Sequence, residues 1–194
     1  MKEIIFVTTN IGKVESAKKY LKNVKLTCID KELSEPDVND IDYIAEQKVL
    51  QAYTLTNKPC VSLDAGFYIP NFPQRPNFPG AFVKRELLAK MGIDSLLDFM
   101  QDVDDRQCYF KECLAYYDGN SIKKFYGYCY GSLAKQKLGL DRAEKWSDLW
   151  YVFVPQGCEK TLAQMTKSEQ DECLSGAHIS AFEEFAKWIG DKND

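Results

Sequence analysis

The chain has a single histidine, no CxxC pair, no GxGxxG, no Walker loop and no apolar run of eighteen residues. Each absence removes a class of protein. With His178 alone and the cysteines scattered, a zinc site lacks its ligand spacing. No stretch is long and apolar enough for a membrane span. Met1-Lys2-Glu3 leads directly into an apolar run, so no secretory leader is expected. Twenty-five lysines and arginines stand against 29 acids, a net charge of −4. With no basic stripe interleaved with aromatics, nucleic acid is not the expected partner. Repeats and low-complexity linkers are absent as well.

What is present suits a soluble globule of 194 residues, 45% of them hydrophobic and 28% charged. The seven cysteines, Cys28, Cys60, Cys108, Cys113, Cys129, Cys158 and Cys173, lie mostly in apolar stretches. They read as buried, reduced thiols of a cytoplasmic protein.

The first 21 residues carry the strongest local pattern. Ile4-Ile5-Phe6-Val7 predicts a strand, Thr8-Thr9-Asn10 a turn, and Val14, Ala17 and Leu21 follow Gly12-Lys13 at helical spacing. A helix start beside hydroxyls, an amide and an ammonium suits phosphate. An ordinary βα unit with a solvated lysine gives the same letters. Further strands are expected over 24–29, 60–63 and 150–154, and helices over 43–55, 84–100 and 179–189. Two strand-like runs, 106–117 and 122–133, flank Asp118-Gly119-Asn120-Ser121, a hairpin signal. Residues 66–82, with prolines three apart, are expected to be irregular. The alternation predicts an α/β fold, a mixed sheet with flanking helices in two lobes around a cleft.

Two carboxylates stand out. Asp64 follows an apolar strand and is expected at its carboxyl end, where open α/β sheets bind ligands. A turn-capping role is the plain alternative. Glu35 lies in an acidic loop broken by Pro36. Two carboxylates beside a phosphate-binding helix start suit Mg²⁺, a hard cation that bridges phosphate oxygens. Lys48 and Lys84 add positive charge, although solvated lysines are common on any surface.

Together these motifs resemble the inosine triphosphate pyrophosphatase family. The order and spacing of Thr9-Asn10-x-x-Lys13, Ser34-Glu35-Pro36-Asp37, Gln47-Lys48, Val61-x-x-Asp64 and Phe78-Pro79-Gly80-Ala81-Phe82-Val83-Lys84 match it. So do Phe125-x-Gly127-x-x-x-Gly131, the run from Phe153 to Met165 and Lys167-Ser168-Glu169. The resemblance covers nearly the whole chain. It implies one domain over residues 1–194, an elongated two-lobed α/β fold, a homodimer and Mg²⁺-dependent cleavage. The substrates it implies are non-standard purine triphosphates such as ITP, dITP and XTP, cut to monophosphate and pyrophosphate. Thr9, Asn10 and Lys13, with Lys84, would hold phosphates, and Lys48 would add positive charge. Glu35 and Asp64 would hold the metal, and Asp64 would activate water.

Departures from the family concentrate at its base-reading end. Leu63 stands where a second acid is usual, which predicts one carboxylate fewer at the metal. The turn whose aromatic stacks on the base is replaced by Trp146-Ser147-Asp148-Leu149-Trp150-Tyr151-Val152. Of the serine–histidine–arginine motif only Ser175 and, after a shift, His178 remain, so Trp150, Ser175 and His178 are the candidate base contacts. Weak activity on ITP and XTP is therefore expected. The alternative is a nucleotide-binding module of the same fold that has lost catalysis.

Overall fold

Strand β1 (Glu3–Val7) is buried from Ile4 to Val7, the pattern of a strand covered on both faces. This computed structural model describes residues 2–141 and 147–191. Helix α1 (Ile11–Tyr20), strand β2 (Lys25–Ile29), helix α2 (Ile41–Thr56) and strand β3 (Cys60–Ile69) follow. Both β2 and β3 run parallel to β1, with Phe6 opposite Cys28 on one side and Val61 on the other. Strand β4 (Phe78–Gly80) pairs antiparallel with β3, placing Phe67 opposite Gly80 and Ile69 opposite Phe78. Then come a π-helical segment (Val83–Met91), α3 (Gly92–Phe99), β5 (Gln107–Tyr117) and β6 (Ile122–Leu133). A 3-10 turn (Asp148–Tyr151), β7 (Phe153–Pro155), a second 3-10 turn (Leu162–Gln164), α4 (Lys167–Ala177), β8 (His178–Ile179) and α5 (Ala181–Asp191) complete the chain. Among the described residues, eight strands form one mixed sheet in the order β2-β1-β3-β5-β6-β7, with β4 beside β3 and β8 beside β6.

The chain divides into two compact units. The first holds residues up to Ala65, Glu112–Gly127 and residues from Ile179 on. Its core on one face of the sheet joins Ile4, Phe6, Val61, Leu63, Leu114 and Tyr116 to Ala17 of α1 and Phe182 and Phe185 of α5. On the other face lies α2, onto whose Ala45 carbonyl the buried Ser62 hydroxyl donates. Because strand side chains alternate, Val61 and Leu63 point to the α1–α5 core while Ser62 and Asp64 point to α2. The second unit, Gly66–Lys111 with Tyr128–His178, packs Phe67, Ile69, Phe78, Leu87, Leu96 and Phe153 into its own core.

Several expectations need correction. Strand β3 does not stop at Asp64. It continues to Ile69 because β4 supplies a pairing partner, so Asp64 sits mid-strand and, of the stretch 66–82, only 70–77 and 81–82 are irregular. Pro79 is tolerated in β4, which pairs with β3 alone, and the Phe78–Pro79 bond is cis. Gly66 is required there: a Cβ at that position would lie 2.8 Å from the Gly80 carbonyl oxygen. The helix expected over 84–100 is broken at Gly92, whose φ of +79° L-residues rarely adopt. The strand expected from Trp150 begins only at Phe153, since Ser147 caps a 3-10 turn over Asp148–Tyr151. Helix α4 was not expected, although Thr166 and Glu169 form a capping box. Finally, not all cysteines are thiols. Helix α4 brings Cys173 beside the loop after β7, and the two α-carbons at 6.4 Å carry a Cys158–Cys173 disulfide.

The facing of Leu63 yields a stability prediction. Leu63→Asp places a carboxylate in the α1–α5 core, away from Asp64, at an expected cost of about 3–5 kcal/mol. Chemical denaturation measures it, and a variant as stable as the wild type would show that the side chain does not face that core.

Candidate active site

The site is built within the first unit from the β1–α1 turn, the loop before α2, α2 itself and the middle of β3. Asn10 caps α1, its Oδ1 accepting from the Lys13 backbone N–H at 3.1 Å. The Asn10 N–H in turn donates to Thr8 Oγ1 at 3.2 Å. No acid occupies the first turn of α1, so its positive end is left uncompensated by its own sequence. Thr9 is exposed in the same turn.

Within the first turn of α1, the Lys13 ammonium donates to the Leu63 carbonyl oxygen at 2.8 Å and lies 3.7 Å from Asp64 Oδ1. Asp64 is buried, and its Oδ1 also accepts from the Ala65 N–H at 2.9 Å. From α2 the Lys48 ammonium reaches Asp64 Oδ2 at 3.2 Å and Glu35 Oε2 at 2.6 Å. Lys48 is largely enclosed, whereas over half of the Glu35 side chain is exposed. Burial acts to lower the Lys48 pKa, but the charges of Asp64 and Glu35 and the hydrogen bonds to them outweigh it. The net direction is upward, and Lys48 stays an ammonium at neutral pH.

Four expected residues, Lys13, Glu35, Lys48 and Asp64, thus form one charge network, and Asn10 adjoins it through the backbone of Lys13. Carboxylates from two separate segments converge on one cationic position. That donor set fits a hard divalent cation, which needs only one or two protein carboxylates when phosphate and water complete its shell. The missing acid at Leu63 leaves this face unaltered, since that side chain points into the opposite core. The residue that sequence reasoning overlooked is Ser62. A lone serine two positions before Asp64 in an apolar strand was the available signal, and its bond to Ala45 sets α2, and with it Lys48, over β3.

The other expected residues belong to the second unit. Lys84 is exposed at the start of the π-helical segment. Trp150 is half-buried against that unit's core. The Ser175 hydroxyl donates to the Glu172 carbonyl of its own helix at 2.7 Å. His178 is half-buried where α4 ends. Trp146, part of the stretch that replaces the family's stacking turn, lies outside the described residues.

Known proteins resemble this chain along nearly its whole length. The "dITP/XTP pyrophosphatase" of Hyperthermus butylicus is 27% identical over 188 residues, covering 96% of this chain and 94% of that protein. The protein of the same name from Pyrococcus horikoshii is 25% identical over 190 residues, with coverage of 95% and 97%. Among solved structures, the Staphylococcus aureus Ham1 protein superposes with a TM-score of 0.77 at 20% identity, over 98% of this chain and all of that one. A HAM1 protein from Coxiella burnetii gives the same TM-score at 18% identity and equal coverage. These two likenesses establish the mixed α/β fold. The sequence profile of the Ham1 family matches residues 4–188, and the chain therefore belongs to the Ham1 family.

Proposed function

We propose that this protein is a Mg²⁺-dependent nucleoside triphosphate pyrophosphatase that releases pyrophosphate and a nucleoside monophosphate. The observation that carries the reading is the Lys13–Asp64–Lys48–Glu35 network beside the start of α1. Asn10, Lys13 and the first N–H groups of α1 bind the phosphate chain, with Thr9 exposed in the same turn and Lys84 assigned a further phosphate contact. Glu35 and Asp64 are the residues that would hold Mg²⁺, which supplies charge neutralisation at the phosphate oxygens and lowers the pKa of bound water. Asp64 accepts the proton of the attacking water at the α-phosphorus, and Lys13 and Lys48 balance the negative charge that develops. A cytoplasmic setting, where nucleotides are abundant, belongs to the same proposal. No described helix is long and apolar enough to cross a membrane.

For the base, the names of the relatives make non-standard purines the first candidates. Trp150, Ser175 and His178 are the chain's own proposed base contacts. Because only Ser175 and, after a shift, His178 remain of the family's serine–histidine–arginine motif, hydrolysis of ITP and XTP is proposed to be weaker than in an ordinary member of the family. A module that binds without turnover was motivated by Leu63. The core-facing side chain of that residue weakens the motive.

A homodimer is also part of the proposal. Within the second unit, Tyr68 stacks on Tyr109 at 5.1 Å and Tyr128 on Tyr130 at 5.6 Å, and Tyr109 adjoins Tyr130. These tyrosines alternate with the core-facing Phe67, Cys108 and Cys129, and Tyr130 is 47% exposed. A surface dominated by stacked tyrosines suits an isologous contact with a second copy, because aromatic rings supply large contact area.

Two outcomes test these readings. Asp64→Asn is expected to cut pyrophosphate release at least about 100-fold while keeping the folded state; turnover at the wild-type rate would overturn the assignment. In sedimentation at micromolar concentration the wild type is expected at twice the monomer mass and Tyr130→Lys as monomer. A monomeric wild type removes the dimer, and a dimeric variant removes this surface.

A further inference from the structure

We propose that Gln51 is a positioning residue for the metal site, clamping the backbone of Ser34 so that Glu35 meets Lys48 and Asp64. The inference rests on the reading of Glu35 as a metal ligand. It starts from a difficulty: Glu35 belongs to no helix or strand, since residues 30–40 form the irregular connection between β2 and α2. Its carboxylate is more than half exposed. An exposed ion pair alone does little to order a loop, because its modest attraction opposes the loss of side-chain and backbone freedom.

The side-chain amide of Gln51 supplies the missing constraint. The Ser34 N–H donates to Gln51 Oε1 at 3.0 Å, and Gln51 Nε2 donates to the Ser34 carbonyl at 2.9 Å. This two-point contact fixes orientation as well as distance, since a flipped amide would set donor against donor and acceptor against acceptor. Nε2 also donates to the Gln47 carbonyl at 3.3 Å, which ties the amide to its own helix. On the far side of Glu35, Pro36 narrows its backbone to extended conformations. Glu35 is thus flanked by one residue held in place and one that is stiff.

The frame behind the clamp is firm. Asp40 caps α2 by accepting from Asp42 and Tyr43, and Ser62 holds its Ala45 carbonyl. From β6, Lys124 pairs with Glu46 at 2.8 Å and the Tyr126 hydroxyl donates to Asp42 at 2.8 Å. Ala45, Lys48 and Gln51 recur at intervals of three on one helix face. The same helix therefore is bonded to β3 through Ser62, carries the ammonium and holds the loop that brings the second carboxylate.

The experiment compares Gln51→Met, which keeps length and loses both bonds, in the wild-type and Glu35→Gln backgrounds. The probes are Mn²⁺ titrated calorimetrically into the metal-free protein, and pyrophosphate release against Mg²⁺ concentration. Gln51→Met is expected to weaken Mn²⁺ binding, and raise the Mg²⁺ needed for half-maximal rate, about tenfold. The rate at saturating Mg²⁺ should stay within about threefold, because the reacting groups are untouched. In the Glu35→Gln background the same substitution should leave Mn²⁺ binding unchanged. Hydrogen exchange of residues 31–38 should quicken in Gln51→Met while that of β1 does not. Unaltered Mn²⁺ affinity, or an equal loss in both backgrounds, would overturn the clamp. A wild type that releases no pyrophosphate from any triphosphate would overturn the parent reading, and the Mn²⁺ titrations would then judge the clamp by themselves. Should Gln51→Met not fold, Gln51→Ala removes both bonds to Ser34 without adding charge or bulk and is expected to show a loss of the same kind and size.

Discussion

The ammonium of Lys48, enclosed between Asp64 and Glu35, is the contact around which this site is organised. Two carboxylates from distant parts of the chain would repel one another at such proximity. The Lys48 ammonium between them, with Lys13 beside Asp64, offsets that repulsion. Everything that fixes Lys48 therefore fixes the site, from the cap at Asp40 to the Ser62 hydroxyl on the Ala45 carbonyl.

Strand β3 makes the arrangement possible by carrying two different surfaces on alternate residues. Val61 and Leu63 complete an apolar core with Phe182 and Phe185, while Ser62 and Asp64 serve α2. Polar chemistry is thereby confined to one face of a strand whose other face is dry. Its neighbours in sequence can change without altering the carboxylate face. Even Leu63 contributes there only through its carbonyl, which any residue supplies to Lys13.

Legibility in the sequence followed the range of the interactions. The β1–α1 unit was readable because an apolar run, a capping Asn10 and helical spacing all lie within twenty residues. Lys13, Glu35, Lys48 and Asp64 were found by the order of short motifs, and the structure gathers them into one network. The length of β3 was misjudged because its second half depends on pairing with β4, a contact that no local pattern announces. Helix α4 was overlooked because it buries little, Gln170 being its one buried residue among those described, so periodicity was faint even though the Thr166–Glu169 cap was present. The Cys158–Cys173 bond joins positions fifteen apart with no motif spacing. Ser34's backbone role is invisible in principle, because a carbonyl and an N–H carry no letter.

The balance of charge in the network has a consequence for traffic through it. Lys13 and Lys48 contribute two formal positive charges, Glu35 and Asp64 two negative ones, and the four cancel. The field of such balanced side chains fades quickly with distance, so these four add little pull on a nucleotide or cation far away in salty solution. Discrimination is deferred to contact, where the paired charges can separate and each find an opposite partner on the arriving molecule. Under the proposed reaction, a visitor that brings both signs, a cation already seated on its phosphates, would offer every member of the network a replacement at once.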